Sequence, residues 1–488
     1  MKKAIDFEAL RNGSVVLISV AAVLLRGLYG SFFAALTAAL LLCLSGKRAL
    51  SAGALFCGFL MLSGLIVSDA AFGCGYNFIY ELPKLLLLFS AASVISGAVR
   101  KRLLLGFYIG CTCSSAVGII AYVLGLNGFE LLRTLGGGTI VQGVLGYANT
   151  TGMLCCVGTL FSLYYAGKNK NYSLLNEALC IINAVCLLLT GSALSLASLA
   201  AAVVFALCVR FRRLIKYAAA ALGLCLVLAA LLFAVGRETV FLKSTLAWRL
   251  IYYCDAVRVI IRHPLGIGVY GWQNLQYGIQ SAAYSVKYVH NGFLQLALDG
   301  GIFALAGAVL LTLFGIRRLI TRFKKSGDAY YLYLLAVLSV VVLHSLVDID
   351  LAYGCVWLLT GLCAGDADGG IKINGVFPLV ISAVLLCAVA AFPEKYTVEV
   401  QKTADSYSAA MKNNDYEKMY GLSSRWLELA PRQQAAYDAH YISLERLGKT
   451  EELAALAERV NQINADMNPL CKYLAAHREI VLPAGGDN

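Results

Sequence analysis

Charge is scarce in this chain. Asp, Glu, Lys and Arg make up 14% of its 488 residues, about half the share found in soluble domains, while 60% of the residues are hydrophobic. A soluble protein of this size has too little polar surface to cover so much apolar side chain, and a lipid bilayer removes the difficulty. Metal- or disulfide-type cysteine spacing is also lacking. The 16 cysteines include no Cys-x-x-Cys pair, and most, such as Cys43, Cys57, Cys111, Cys155, Cys186 and Cys387, stand inside apolar runs, where they act as small hydrophobes. The 5 histidines (His263, His290, His344, His440, His477) are dispersed. Zinc sites and structural disulfides are therefore not expected, and neither is any metal or cofactor. No small-residue cleavage site follows the first hydrophobic run, which reads as an anchor and not a removed signal.

What is present is a succession of apolar runs punctuated by basic residues. Spans are expected at 14–28, 31–45, 50–68, 82–99, 103–124, 150–166, 174–190, 192–209, 214–236, 291–315, 329–347, 350–364 and 373–392, about thirteen in all. The fold class is an all-α polytopic membrane protein. Basic clusters follow the even-numbered spans: Lys47-Arg48, Arg100-Lys101-Arg102, Lys168 and Lys170, Arg210 to Arg213, and Arg317 to Lys325. The positive-inside rule then puts the N-terminus in the cytoplasm and the C-terminus outside a bacterial cytoplasmic membrane. This punctuation accounts for the net charge of +12 and argues against a nucleic-acid partner.

Two outer segments are long, 125–149 and about 236–290, the second lying before the tenth span. The second holds six basic residues, Arg237, Lys243, Arg249, Arg258, Arg262 and Lys287, against Glu238 and Asp255. An anionic ligand at the outer surface would explain that excess. After residues 1–392 the composition turns soluble, and 393–488 is expected to be a small extracytoplasmic helical domain. Asn413 to Glu417 and Gly448 to Glu452 each open an amphipathic run there, resembling a tetratricopeptide hairpin. Its expected role is protein contact or packing on the outer segment.

Within that segment Lys243-Ser244-Thr245 looks like a helix start with Ser244 as N-cap. On a helical wheel Asp255, Arg258 and Arg262 share a stripe that self-pairing in solvent would explain. Arg249 falls opposite, with Tyr253, Ala256 and Ile260, and an arginine on an apolar face needs an anionic partner. That makes it the better phosphate ligand. His263-Pro264-Leu265-Gly266-Ile267-Gly268 forms a turn. His290, just before the tenth span, is either a base or an interfacial histidine bonded to a loop carbonyl. His344, Asp348 and Asp350 fall at the outer mouth between spans eleven and twelve, as a capped span end or as ligands for sugar hydroxyls.

In order, Gly143-Val144-Leu145-Gly146-Tyr147-Ala148-Asn149, Arg249, Pro264-Leu265-Gly266-Ile267-Gly268, His290-Asn291-Gly292-Phe293-Leu294-Gln295 and Gly300-Gly301-Ile302 resemble the O-antigen ligase and polysaccharide polymerase superfamily over residues 130–365. The resemblance implies a C-type glycosyltransferase that takes glycan from an undecaprenyl-diphosphate-linked donor, with inversion and without a metal. It implies catalytic roles for Arg249, on the donor pyrophosphate, and His290, on the acceptor hydroxyl. Substrate contacts are expected from Arg237, Lys243, Arg258, Arg262, Asn149, Asn291, His344 and Asp348. Donor and acceptor would be a lipid-linked glycan and a polysaccharide or other envelope component. The chain departs from the pattern after the seventh span, where relatives carry Ser-Arg-Gly and this sequence reads Gly191-Ser192-Ala193-Leu194-Ser195. Either Arg237, Lys243 or Arg133 replaces that arginine, or the donor is bound differently. Two other readings stand beside the enzyme. One is a flippase or transporter, which should show internal repeats and mid-membrane charges, neither evident here. The other is an inactive relative acting as an envelope scaffold through its C-terminal helices.

Overall fold

The computed structural model describes residues 7–44, 48–72, 77–94, 96–135, 138–216, 240–273, 281, 284, 286–365, 370–373, 376–391, 395–430 and 434–463. Helices dominate: α1 (Phe7–Leu24), α2 (Ser31–Leu44), α3 (Ala52–Phe72), α4 (Leu82–Ala92), α5 (Gly97–Leu124), α6 (Ala148–Lys168), α7 (Ser173–Leu189), α8 (Ala193–Arg210), α9 (Val240–Arg262), α10 (Gly292–Ser326), α11 (Ala329–Ser345), α12 (Gly354–Ala364) and α13 (Val376–Ala391). Four more follow: α14 (Lys395–Lys412), α15 (Tyr416–Leu429), α16 (Gln434–Arg446) and α17 (Thr450–Ile463). The four short strands form two antiparallel pairs, Arg48–Leu50 with Ile371–Ile373 and Leu132–Leu135 with Gly138–Val141.

Among the described residues, five helices are long and apolar enough to cross a membrane, within α3, α5, α7, α8 and α10. Six shorter apolar helices accompany them. The chain is an all-α integral membrane protein. The expected ninth span, 214–236, lies largely outside the described residues, as does Arg237.

Local chemistry sets the helix ends. Ser96 caps α5 by accepting from the Val99 amide, and left-handed Gly125 ends it. Asn291 caps α10 by accepting from the amides of Phe293 and Leu294. α3 lies along α10, where a Cβ on Gly307 would meet the Cys57 carbonyl oxygen at 2.6 Å. Only small residues permit that backbone approach.

Hydrogen bonds sort the connections to two ends of the bundle. At one, the Arg100 guanidinium donates to the carbonyls of Gly365 (2.6 Å), Val94 (2.8 Å) and Ala92 (3.2 Å), and Arg318 donates to that of Ala364 (3.2 Å). These basic residues cap helix C-termini as well as marking a side. At the other end Arg26 meets Glu130, Lys287 meets Tyr29, and Asn77 meets the Val269 carbonyl. The outer segment belongs to this second end.

That segment is more helical than a loop. α9 starts at Val240, so Ser244 lies inside it and is not its N-cap. The stripe of Asp255, Arg258 and Arg262 is self-paired through Asp255 and Arg258 as expected, but Asp255 itself is not solvated. The Asp255 carboxylate is buried and accepts from Arg258 Nη1 (2.7 Å), the Ser281 amide and hydroxyl (2.9 and 3.0 Å) and Tyr284 OH (3.0 Å). Arg258 remains exposed and Arg262 is exposed as well. Helices α14 to α16 pack consecutively, and their buried Tyr407, Trp426 and Tyr437 belong to one hydrophobic cluster with Val259, Trp272 and Tyr284 of the outer segment.

Candidate active site

Pro264 to Gly268 is the scaffold on which the site stands. Gly266 and Gly268 adopt φ of +91° and +78°, conformations open to glycine at little cost. The Ile267 amide donates to the Leu298 carbonyl and the Ile302 amide to that of Pro264. The helical φ/ψ of α10 break at Gly300 and Gly301, the latter at φ +65°. A Cβ on Gly266 would come within 2.6 Å of the Gly301 amide nitrogen. Gly266 and Gly301 thus serve a close crossing of turn and kinked helix. Ser68 and Asp69 of α3 clamp the turn from below, accepting from the amides of Gly268 (2.7 Å) and Val269 (2.9 Å).

Above that scaffold one carboxylate gathers the rest. Asp348, in the turn between α11 and α12, has a side chain 0% exposed. Its Oδ1 accepts from Tyr147 OH (2.7 Å) and the Ile349 amide (2.8 Å) and lies 3.5 Å from His290 Nδ1. Its Oδ2 accepts from Asn149 Nδ2 (2.6 Å) and Arg249 Nη2 (3.1 Å). Burial alone would raise its pKa. The His290 hydrogen bond and the Arg249 charge outweigh that and hold the carboxyl below its usual range. Burial, reinforced by the neighbouring Asp348 charge, pushes the Tyr147 phenol well up, so it stays a donor.

Arg249 and His290 are thereby brought together. Arg249 also donates from Nη1 to the Val347 carbonyl, which leaves three of its five N–H groups without a partner among the described residues. Its side chain is 15% exposed. The anionic partner that its apolar surroundings demanded is Asp348.

His290 has a positive φ of +57°, a sparsely populated conformation for a side-chain-bearing residue. Its carbonyl accepts from Tyr253 OH at 2.7 Å, and its ring stacks on Tyr252 at 6.1 Å. Asp348 on the Nδ1 side assigns the proton there. Nε2 then carries the free lone pair, and no hydrogen bond from a described residue reaches it. The imidazole is 25% exposed.

His344 takes a different place. It is fully buried, with Nδ1 2.6 Å from Asp350 Oδ2 and Nε2 3.0 Å from Ser195 Oγ. Ser195 Oγ also donates to the Asn149 carbonyl, and Thr150 donates to Asp350. This serine–histidine–aspartate line has no exposed member and acts as a buried brace that holds Asn149 against Asp348. Neither His344 nor Asp348 has an open position for a sugar hydroxyl, contrary to one of the two roles expected for them. Asn149 is likewise committed to Asp348, and Asn291 uses its carbonyl oxygen as a helix cap.

Residues 178–309 match the family model described as O-antigen ligase. The chain carries a segment of that family. No curated protein matches it. The O-antigen ligase segment runs from α7 to the middle of α10. It therefore includes Arg249, the Pro264–Gly268 turn and His290, but not Tyr147, Asn149 or Asp348. Where the resemblance leads to the expectation of a second arginine, this chain begins α8: Ser192 caps it by accepting from the Ser195 amide. Of the proposed replacements, Arg133 sits exposed on the 132–141 hairpin, Arg237 is outside the described residues, and of Lys243 only the backbone is described.

Lys287, three residues before His290, is a further cation at this end of the bundle. Lys287 donates to Tyr29 OH at 2.8 Å, with its ammonium 5.1 Å and 5.3 Å from the ring centres of Tyr29 and Tyr288. No carboxylate pairs with it among the described residues. Its sequence signal, a lysine between aromatics three residues before His290, is too common to have singled it out. Tyr147 lay inside a quoted motif, but nothing in the spacing joined it to Asp348. Among the described residues no group of three or more His, Cys, Asp or Glu is placed to hold a metal ion.

Proposed function

We propose that this protein is an inverting membrane glycosyltransferase of the ligase or polymerase type. Its donor is a glycan on undecaprenyl diphosphate, used at the outer face of the cytoplasmic membrane. The observation that carries the reading is the buried Asp348 carboxylate, which binds Arg249 with one oxygen and faces His290 with the other. It fixes an arginine whose remaining N–H groups can fork onto a diphosphate. It also orients a histidine whose Nε2 can take a proton.

In the reaction the acceptor hydroxyl loses its proton to His290 Nε2 while its oxygen attacks the anomeric carbon. The bond from that carbon to the diphosphate oxygen breaks, and the leaving diphosphate takes the electron pair beside Arg249. Asp348 stabilises the imidazolium formed, as a buried carboxylate does for a base histidine. Cationic donors in a site poor in water can stabilise the leaving group without a metal. Lys287 is suited to be the second cation.

Transfer by the full-length protein in proteoliposomes tests this, with a panel of polyprenyl-diphosphate glycans and candidate acceptors. The expected product is an inverted linkage, released with polyprenyl diphosphate and dependent on both Arg249 and His290. Glycan movement across the bilayer without a new glycosidic bond would overturn the proposal in favour of a flippase.

A further inference from the structure

Beside His290–Asn291 lies a narrow cleft between α4, α10 and the α11–α12 turn, with Arg249 not among its lining residues. Its wall includes Tyr288 and Asn291, which flank His290, and Ile349, which follows Asp348. Glu81, Lys84 and Asp299 supply its charge and Trp357 an apolar side.

The hydrogen-bonding capacity of these groups is largely unspent. Lys84 is 7% exposed and Asp299 8%. Lys84 Nζ uses one of its three donors, on Glu81 Oε1 at 2.6 Å. Asp299 accepts from Gln295 Nε2 at 2.9 Å through Oδ1 alone. No described residue accepts from Asn291 Nδ2. Polar groups so deeply placed need partners. Donors and acceptors left over side by side suit a ligand whose groups both give and receive, which is the property of a hydroxyl. Lys84 is already paired with Glu81, so the pocket has no surplus positive charge to hold a diphosphate. We infer that this pocket is the acceptor subsite and binds a neutral pyranose through Glu81, Lys84, Asn291 and Asp299, with Trp357 as its apolar wall. The inference rests on the glycosyltransferase reading for its meaning, and it divides the two substrates: donor diphosphate on the Arg249 side, acceptor sugar on the α4 side.

Saturation-transfer NMR on the full-length protein in phospholipid nanodiscs tests it. The probes are methyl glycosides of glucose, galactose and N-acetylglucosamine, with inorganic pyrophosphate titrated in parallel by calorimetry. At least one glycoside should bind the wild type. Glu81→Gln, which keeps the contact with Lys84, should weaken it about tenfold through loss of a charge-assisted hydrogen bond. Leu296→Phe, which narrows the pocket without altering a charge, should weaken it as well. Both variants should bind pyrophosphate as the wild type does, while Arg249→Ala should lose pyrophosphate and keep the glycoside. If no glycoside binds the wild type, or if Glu81→Gln and Leu296→Phe weaken pyrophosphate and not glycoside, the subsite is wrong even where Arg249-dependent pyrophosphate binding upholds the donor reading. Glycoside binding that responds to both variants supports the subsite even where pyrophosphate binding ignores Arg249 and the donor reading falls.

Discussion

Asp348 and His290 face each other at 3.5 Å, carboxylate oxygen to Nδ1, and Asp348 also carries Arg249 at 3.1 Å. The two groups proposed to handle opposite ends of the reaction therefore share one anchor. That coupling sets what mutations should do.

His290→Ala should leave donor binding near normal and lower turnover by about a hundredfold or more, the usual effect of removing a general base. Arg249→Ala should weaken donor use instead. Arg249→Lys should recover it only partly, because an ammonium cannot form two parallel hydrogen bonds. Arg262→Ala, an exposed residue, is the control. Initial rates against donor concentration in proteoliposomes, at matched protein levels, separate these effects. Near-normal turnover in His290→Ala would remove the mechanism.

Asp348→Asn should impair both functions and flatten the dependence of stability on acid. The folded Asp348 pKa lies below the unfolded value of about 4. Its contribution is therefore complete above that value and is lost as pH falls through the folded one. Thermal unfolding from pH 7 to pH 3 should show a steeper loss in the wild type than in the variant. At pH 7 the variant should be less stable by about 3–5 kcal/mol, the usual effect of breaking a buried pair. Parallel curves would show that the carboxylate is not held as described.

Asp438, in α16, works in the opposite sense. Its Oδ1 is buried with no hydrogen-bond partner among the described residues, and burial pushes the carboxyl up to about 8. An acid whose folded pKa exceeds its unfolded one stabilises less as pH rises from about 4 to that value, then no further. Asp438→Asn should remove this loss and tighten α16 at pH 8, by about 1–3 kcal/mol. Hydrogen–deuterium exchange over residues 434–446, at pH 6 and pH 8 and corrected for intrinsic rates, reads the change. Equal protection in both proteins at both values would contradict it.

Cysteine placed at Asp405 should react with an impermeant maleimide in intact cells, because α14–α16 share buried contacts with the outer segment. Labelling only after lysis would reverse the sidedness.

Transfer should also survive chelation, since cationic side chains are proposed to meet the leaving diphosphate. Loss of activity in EDTA, restored by magnesium or manganese, would defeat this.

Much of the architecture was legible because lipid imposes a simple rule. A helix in a bilayer must be apolar along a whole span, and basic residues mark where spans end, so hydropathy and Lys/Arg spacing located α1 to α8 and α10 to α13. Arg249 was legible for a related reason: a cation on a tyrosine-rich face needs an anion, and the helical period alone showed it there. Which anion could not be read. Asp348 follows Arg249 by 99 residues and meets it only because α11 returns to the same end of the bundle. Asp255 was misjudged because a wheel knows a helix's own neighbours but not Ser281 and Tyr284, which cover it from later in the chain. The α4 pocket left no trace in the sequence, since Glu81 and Asp299 become neighbours only across helices.

The turn that holds Asp348 lies beyond residue 309, where the family match ends. The matched stretch is thus not a portable cassette. A chimera that exchanged it for the equivalent stretch of another such enzyme would import an arginine and a histidine already shaped to someone else's carboxylate. Swaps meant to change glycan preference should therefore take residues 147–149 and 344–350 along, and the success of such a graft would depend less on the motif-bearing region than on a short turn that no motif marks.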